Sequence, residues 1–170
     1  MAKHLNKKIG MIGQQYVCDY LKSKKINYWT NFDNNYNITD IVMQKDDKIC
    51  FVKVSTKQCT TKKGHLVTGK NKIQIDRYIK RQKVYNIKYF ILFVDIKKKE
   101  IYGNYLDNLL NLNIYNGKEF PEVLNCGGQE ITFFSLHSMI KLKDLNQEEI
   151  EGLSKLTFAN KYNKHQLLIL

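Results

Sequence analysis

The segment from Lys48 to Lys57 alternates between two kinds of side chain, and this pattern limits the fold more than any other part of the sequence. One set of alternate residues is Phe51, Lys53, Ser55 and Lys57, and the other is Cys50, Val52, Val54 and Thr56. Successive side chains of a β-strand point to opposite faces of its sheet. The segment is therefore predicted to be a strand whose two faces differ in chemistry.

The elements around this strand follow from hydrophobic spacing and turn residues. The predicted order is a helix over 9–21, strands over 26–29, 38–43 and 48–57, a basic loop over 59–71, a helix over 72–85 and a strand over 89–94. A hairpin partner at 100–102, a short helix from about 105, a strand over 131–134 and a helix over 147–156 complete the chain. The apolar run at 89–94 is short enough for a buried central strand. This order predicts an α/β fold.

The length and composition favour a single folded domain. The chain has 170 residues, of which 43% are hydrophobic, enough for one packed core. Its four cysteines are scattered and form neither a disulfide framework nor a zinc-binding pattern. The N-terminal residues lack an apolar segment, and no run reaches the length of a membrane helix. A cytoplasmic protein that does not bind membranes is therefore expected.

The element order, together with three short motifs, resembles the PD-(D/E)xK nuclease superfamily. Members often carry G-x-x-G-E on the first helix, an Asp entering the second strand, and a third strand like V-E-V-K-T. The matching pieces are Gly10-Met11-Ile12-Gly13-Gln14, Thr39-Asp40 and Val52-Lys53-Val54-Ser55-Thr56. The resemblance implies one domain over 1–170, with a restriction-endonuclease-like core over about 6–106 and a C-terminal helical extension over about 107–170. The core would be a central mixed sheet flanked by helices.

Most of the positions that carry catalytic residues in this superfamily hold other residue types in this chain. In this superfamily two carboxylates hold Mg²⁺ beside the scissile phosphate, and a nearby Lys assists. Only Asp40 is retained, while Lys53 replaces the second acid, Ser55 replaces the Lys and Gln14 replaces the helix Glu. Lys53 is expected within about 4 Å of Asp40, where its charge would oppose metal binding. The five site positions Gln14, Asp40, Lys53, Ser55 and Lys57 therefore predict a degenerate site with no catalytic residue, bound metal or cofactor.

An active Mg²⁺-dependent endonuclease with migrated ligands is the alternative hypothesis. No Glu precedes Glu100, so a replacement ligand would have to come from a late Glu or from another Asp. The Asp candidates are Asp19, Asp33, Asp76 and Asp95. Among these, Asp95 is favoured because it lies at a strand end.

The positive charge is concentrated in the first part of the chain. Residues 1–99 contain 22 Lys or Arg against 7 acids, whereas residues 100–170 contain 6 against 9, which together give the net charge of +12. Such a surface favours polyanionic partners, although the lysine bias of an AT-rich genome is an alternative source of the charge. The residues predicted to bind nucleic acid are Lys53, Lys57, Lys62, Lys63, Lys70, Lys72, Lys80, Arg81 and Lys83. On the same segment, His65 is predicted at the surface and Tyr78 and Tyr85 in the core.

Three functional hypotheses follow. The first is a pseudo-nuclease that binds nucleic acid or a nucleoprotein complex through its basic face. Such a protein would fit a phage or mobile element, for example as an anti-CRISPR-like inhibitor of host defence, or a ribonucleoprotein component. The second is the active endonuclease, and the third is a module that interacts only with proteins. The choice between DNA and RNA, the identity of the partner and the oligomeric state stay open at this point.

Overall fold

The computed structural model describes residues 2–30, 39–62, 65–96 and 98–151. The helices that lie wholly within these residues are α1 (Ala2–Ser23), α2 (Lys72–Tyr85) and α3 (Leu106–Leu110), and a 3-10 turn covers Leu136–Ser138. The first six strands are β1 (Asn27–Thr30), β2 (Ile41–Lys45), β3 (Lys48–Lys57), β4 (Thr60–Lys62), β5 (His65–Asn71) and β6 (Lys88–Asp95). The others are β7 (Glu100–Tyr105), β8 (Asn113–Tyr115), β9 (Lys118–Phe120), β10 (Glu122–Cys126), β11 (Gln129–Ser135) and β12 (Ile140–Asp144).

The central sheet is six-stranded and mixed, with the order β1-β2-β3-β6-β7-β12. Strands β3 and β6 pair in parallel, and every other neighbouring pair in this sheet is antiparallel. The parallel pair is possible because α2 carries the chain from one end of the sheet back to the other. The predicted central position of the apolar strand over 89–94 is thus confirmed.

The two faces of β3 contact different layers, as its alternation predicts. Val52 and Val54 pack with α1 residues such as Val17 in one hydrophobic cluster. Phe51 lies on the opposite face, against a second cluster that includes Tyr78 of α2. Helices therefore cover both faces of the sheet, and Lys53, Ser55 and Lys57 of β3 lie on the same side as α2.

Gly13 allows α1 to lie unusually close to β3. A Cβ atom at this position would lie 1.8 Å from the Thr56 hydroxyl oxygen, so a larger residue would push the helix away. At Gly10, in contrast, an added Cβ would meet nothing within 4 Å. Only the second glycine of the helix motif is therefore required by packing.

The predicted basic loop over 59–71 is wrong, because most of this segment forms strands β4 and β5. These strands join β11 and β10 in a four-stranded sheet with the order β10-β11-β5-β4. The partner of β5 is β11, about 60 residues later in the chain, so local sequence gives no sign of the pairing. His65 is also buried, not at the surface, and its ring contacts that of Phe120 at a centroid distance of 5.5 Å.

The region after residue 106 contains more strands than the predicted helical extension. Its helical parts are α3, the 3-10 turn and a helix that begins at Gln147, whereas strands occupy most of 113–144. The helix at Gln147 begins with a reciprocal cap, since Asn146 Oδ1 accepts from the Glu149 amide and Glu149 Oε2 accepts from the Asn146 amide. Residues 152–170, including the rest of this predicted helix, lie outside the described residues.

No helix in the described part of the chain has the length and apolar character needed to cross a bilayer.

Candidate functional site

Asp40 lies immediately before β2 and is held against β3 by its own backbone and that of its neighbour. The Asp40 amide donates to the Val52 carbonyl at 3.2 Å, and the Thr39 hydroxyl donates to the same carbonyl at 2.6 Å. The Asp40 side chain is buried, and both of its oxygens are engaged. Oδ1 accepts from Lys53 Nζ at 2.5 Å, and Oδ2 accepts from the Val54 amide at 2.8 Å. The predicted contact between Asp40 and Lys53 is therefore present as an ion pair.

Ser55 receives a lysine from the other sheet. Lys70 Nζ, from β5, donates to Ser55 Oγ at 2.6 Å, and Lys70 is only 6% exposed. An amine thus reaches the position on β3 where the superfamily pattern carries its own lysine. Lys70 was predicted to lie in the basic loop over 59–71, and this prediction missed its contact with β3 because the strand β5 that carries Lys70 pairs with the distant β11.

Lys57 is the third amine on this side of β3. Its Nζ donates to the carbonyl of Gly69, the residue before Lys70, and lies 5.8 Å from the ring centroid of Phe93. The amine of Lys70 lies 5.6 Å from the ring centroid of Tyr78 on α2. We call Lys53, Lys57 and Lys70 the lysine cluster. It lies between β3, β5 and α2, with Asp40 and Ser55 among its partners.

Burial weakens the protonation of two amines in the cluster, those of Lys70 and Lys57. Burial is the main cause that lowers the pKa of Lys70 to about 7, and the charges of Lys57 and Lys53 contribute to this shift. The charge of Asp40 opposes it. Burial also lowers the pKa of Lys57. Only Lys53 of the cluster bonds the Asp40 carboxylate, whereas Lys57 and Lys70 donate to uncharged oxygens, so the protonated cluster carries excess positive charge and attracts anions.

The donor set at this site does not fit Mg²⁺. A magnesium ion requires nearly octahedral oxygen ligands and is held by carboxylates together with water or substrate phosphates. Asp40 has both oxygens engaged by Lys53 and the Val54 amide, and the position of the second acid is itself a lysine. Across the described residues, no group of three or more His, Cys, Asp or Glu side chains could hold a metal ion.

Asp95 does not replace the missing acid. It pairs with Lys57 in the register of β3 and β6, which places it about 13 Å along the sheet from Lys53. Its side chain is buried and accepts from the Lys98 amide at 3.0 Å and from the Cys59 amide at 3.2 Å. The Asp95 carboxylate therefore holds the segment that follows β3 and the segment that follows β6.

The other Asp candidates lie elsewhere or outside the described residues. Asp76 is exposed and pairs with Lys72 within α2 at 2.9 Å. Asp19 is exposed on α1, where it accepts from Gln15. Asp33 lies outside the described residues. Gln14 is half-buried on α1, which packs on the opposite face of β3 from the lysine cluster, so the structure does not bring this site position to the other four.

The remaining predicted basic residues divide into several environments. Lys80 and Lys83 are exposed on α2, as expected, whereas Arg81 is half-buried and hydrogen-bonds Tyr89. Lys62 lies in β4, and Lys63 lies outside the described residues. Tyr78 is buried, as predicted, while Tyr85 is 48% exposed and does not belong to the core.

Arg77 is a basic residue near the site that the sequence interpretation missed. It is exposed on α2, and its charge acts on the Tyr78 hydroxyl together with those of Asp40 and Arg81. Burial and the Asp40 charge raise the pKa of Tyr78. The only sequence signal that could have placed Arg77 near the site was its position on α2 directly before Tyr78, which was predicted to be a core residue.

Comparison with known proteins gives one curated relative. No protein-family model matches the chain. A UPF0102 protein from Syntrophomonas wolfei is 35% identical over 57 residues, which make up 33% of this chain and 50% of that protein. The chain thus spans about half the length of the curated relative that it matches. UPF0102 proteins are a family of the PD-(D/E)xK type, in agreement with the resemblance seen in the motifs.

Solved structures of other proteins are similar to this chain, among them D212 and Hjc. D212, a nuclease from a fusselovirus, has a TM-score of 0.45 and 10% identity and covers 86% of this chain and 89% of its own. Hjc, a Holliday junction resolvase from Archaeoglobus fulgidus, has a TM-score of 0.52 and 6% identity and covers 78% of this chain and 91% of its own. The likeness to Hjc and the mixed sheet flanked by helices confirm the predicted restriction-endonuclease-like fold.

Proposed function

We propose that this chain is a catalytically degenerate, restriction-endonuclease-like domain that binds phosphate groups of nucleic acid, free or in a nucleoprotein complex, without cleaving them. One observation carries the proposal: Asp40, the acid that the described residues place at the site, is engaged by Lys53 and the Val54 amide, beside the buried Lys70 and the half-buried Lys57. The site therefore offers ammonium donors where a nuclease would offer carboxylates.

The chemistry of lysine supports binding without strong sequence preference. An ammonium group contacts phosphate as a point charge and carries no base-specific geometry. Arg77 and Lys80, both exposed on α2, extend the positive region beyond the lysine cluster. Hjc is a Holliday junction resolvase, so its fold is used on nucleic acid elsewhere. No cofactor is needed for the proposed binding.

The biological setting is part of the proposal. A phage- or mobile-element-encoded inhibitor of host defence and a ribonucleoprotein component both fit a cytoplasmic domain that binds nucleic acid without cutting it. An active endonuclease fits less well, because Asp95 is about 13 Å from Lys53 along the sheet and already accepts backbone amides. A module that binds only proteins would need a partner that presents acidic side chains to the lysine cluster.

A salt titration tests the nucleic-acid interface. Replacing Arg77 and Lys80 together by Gln should flatten the dependence of log K on log salt by about two units for duplex DNA, because each lost phosphate contact removes about 0.9. The matched control is Lys22→Gln with Lys24→Gln, which removes the same charge beside the opposite face of the sheet. Fluorescence anisotropy with labelled duplex DNA and single-stranded RNA measures both slopes. Equal changes in the two variants would contradict the proposed interface.

A cleavage assay tests the degenerate site. We expect the purified protein to leave plasmid, linear duplex and single-stranded nucleic acid intact in the presence of Mg²⁺ or Mn²⁺, because the described residues place no acid other than Asp40 at the site. Gel electrophoresis after long incubation measures this result. Metal-stimulated cutting that disappears in the Asp40→Ala protein would overturn the proposal and establish the endonuclease hypothesis.

A further inference from the structure

We propose that the lysine cluster binds a terminal phosphate monoester at the end of a nucleic-acid strand, in preference to a phosphodiester within the strand. This inference rests on the proposed function and deepens it, because it names the part of the strand that enters the site. It follows from the enclosure of the cluster, its charge, and its coupling to a proton.

The cluster is enclosed on several sides. Lys70 is 6% exposed and reaches Ser55 on β3 from β5, while Tyr78 of α2 lies beside its amine. Lys57 is half-buried and donates to the Gly69 carbonyl on β5, and the Lys53 side chain is 19% exposed. An internal phosphate carries a sugar on each side, both of which must fit wherever that phosphate goes. A terminal phosphate carries a sugar on one side only, so it suits an enclosed group of amines.

The charge of the cluster matches a dianion. Three ammonium groups and the Asp40 carboxylate give a formal charge of +2 when all are ionised. A phosphodiester carries one negative charge, whereas a phosphate monoester carries about −1.5 to −2 at pH 7 and presents three strong acceptor oxygens. Ammonium groups that donate to a charged acceptor form the stronger class of hydrogen bond. A monoester therefore neutralises the cluster more completely.

Binding of such a dianion is coupled to proton uptake. Burial and the charges of Lys57 and Lys53 bring the pKa of Lys70 to about 7, so a substantial part of this amine is neutral in the free protein. The groups that face it are Lys53, Lys57 and Ser55 from β3, Asp40 before β2, and Tyr78 from α2. A bound dianion favours the ammonium form, so the protein takes up a proton as the phosphate binds.

The test compares three oligonucleotides of one sequence that carry a 5′-phosphate, a 3′-phosphate or no terminal phosphate, each labelled internally. We expect one phosphorylated end to bind at least tenfold more tightly than the unphosphorylated strand, since hydrogen bonds to charged groups contribute about 1.5–3 kcal/mol. The preference should decrease as pH rises from 7 to 9, because Lys70 loses its proton. Calorimetry in two buffers of different ionisation enthalpy measures the proton uptake.

Lys70→Met is expected to lose more affinity for the phosphorylated strand than for the unphosphorylated one, so that the preference for the phosphorylated end disappears. Lys57→Met is a second variant with the same expected direction, and circular dichroism verifies that both proteins are folded. The Arg77→Gln/Lys80→Gln protein is the control, because it should weaken all three oligonucleotides and keep the preference.

The outcomes separate this inference from the proposed function. Equal affinity for all three oligonucleotides in the wild-type protein would overturn the inference and leave nucleic-acid binding intact. If no oligonucleotide binds, the proposed function is wrong, and adenosine monophosphate then decides the inference. Binding of this nucleotide to the wild-type protein and not to Lys70→Met would support a monoester site. If the wild-type protein does not bind the nucleotide, the inference of a monoester site is wrong.

Discussion

The Asp40→Ala protein is expected to be less stable than the wild type by about 3–5 kcal/mol, because removing one partner of a buried ion pair leaves the other charge uncompensated. Asp40 is 3% exposed, and its two oxygens accept from Lys53 and the Val54 amide. The substitution also removes the only carboxylate among the three amines of the lysine cluster. Urea unfolding at pH 7 measures the difference.

A matched control and a double variant identify the cause. Asp19→Ala removes an exposed carboxylate from α1 and should change the free energy of unfolding by less than about 0.5 kcal/mol. The loss in Asp40→Ala/Lys53→Met should be smaller than the sum of the two single losses by about 1–3 kcal/mol, since the pair is removed together. In a metal site where several acids lie close together, replacing one acid by Ala raises the free energy of unfolding of the metal-free protein, because it relieves repulsion between the acids. A stabilised Asp40→Ala protein would therefore contradict the ion-pair interpretation.

The parts of the fold that depend on local pattern were predictable from the sequence. Strand β3 and helix α2 begin and end where alternation and helical spacing place them, at Lys48–Lys57 and Lys72–Tyr85. The contact between Asp40 and Lys53 was also predictable, because both residues lie at fixed positions of adjacent strands in a recognised order of elements. In each case the information lies within about fifteen residues of sequence.

The parts that depend on distant pairing were not predictable. Strand β5 is built against β11, and only this pairing converts Lys70 from an apparent loop residue into a buried amine on Ser55. A lysine is normally expected at the surface, so its residue type pointed away from the correct environment. The candidate site thus combines a predictable strand with an amine that the second sheet supplies.

The stability of the wild-type protein is expected to rise with pH between 7 and 9, relative to that of Lys70→Met, by about 2 kcal/mol. The pKa of Lys70 is about 7 in the folded protein, against 10.5 for an unperturbed lysine. Between these values the unfolded chain holds a proton that the folded protein lacks, so raising the pH disfavours the unfolded chain. Below about pH 7 both states are protonated, and the burial of the charged amine costs its full amount.

Urea unfolding of both proteins at several pH values measures this difference. Burial raises the pKa of the Cys18 and Cys50 thiols, so their titration lowers stability at high pH in both proteins and cancels in the comparison. Lys80→Met removes an exposed amine from α2 and should follow the wild-type curve. Parallel curves for the wild type and Lys70→Met would mean that Lys70 keeps its proton when folded. If the two curves diverge as predicted, Lys70 is partly neutral near pH 7 in the protein without ligand. The cluster then favours an anion whose binding returns the proton to Lys70.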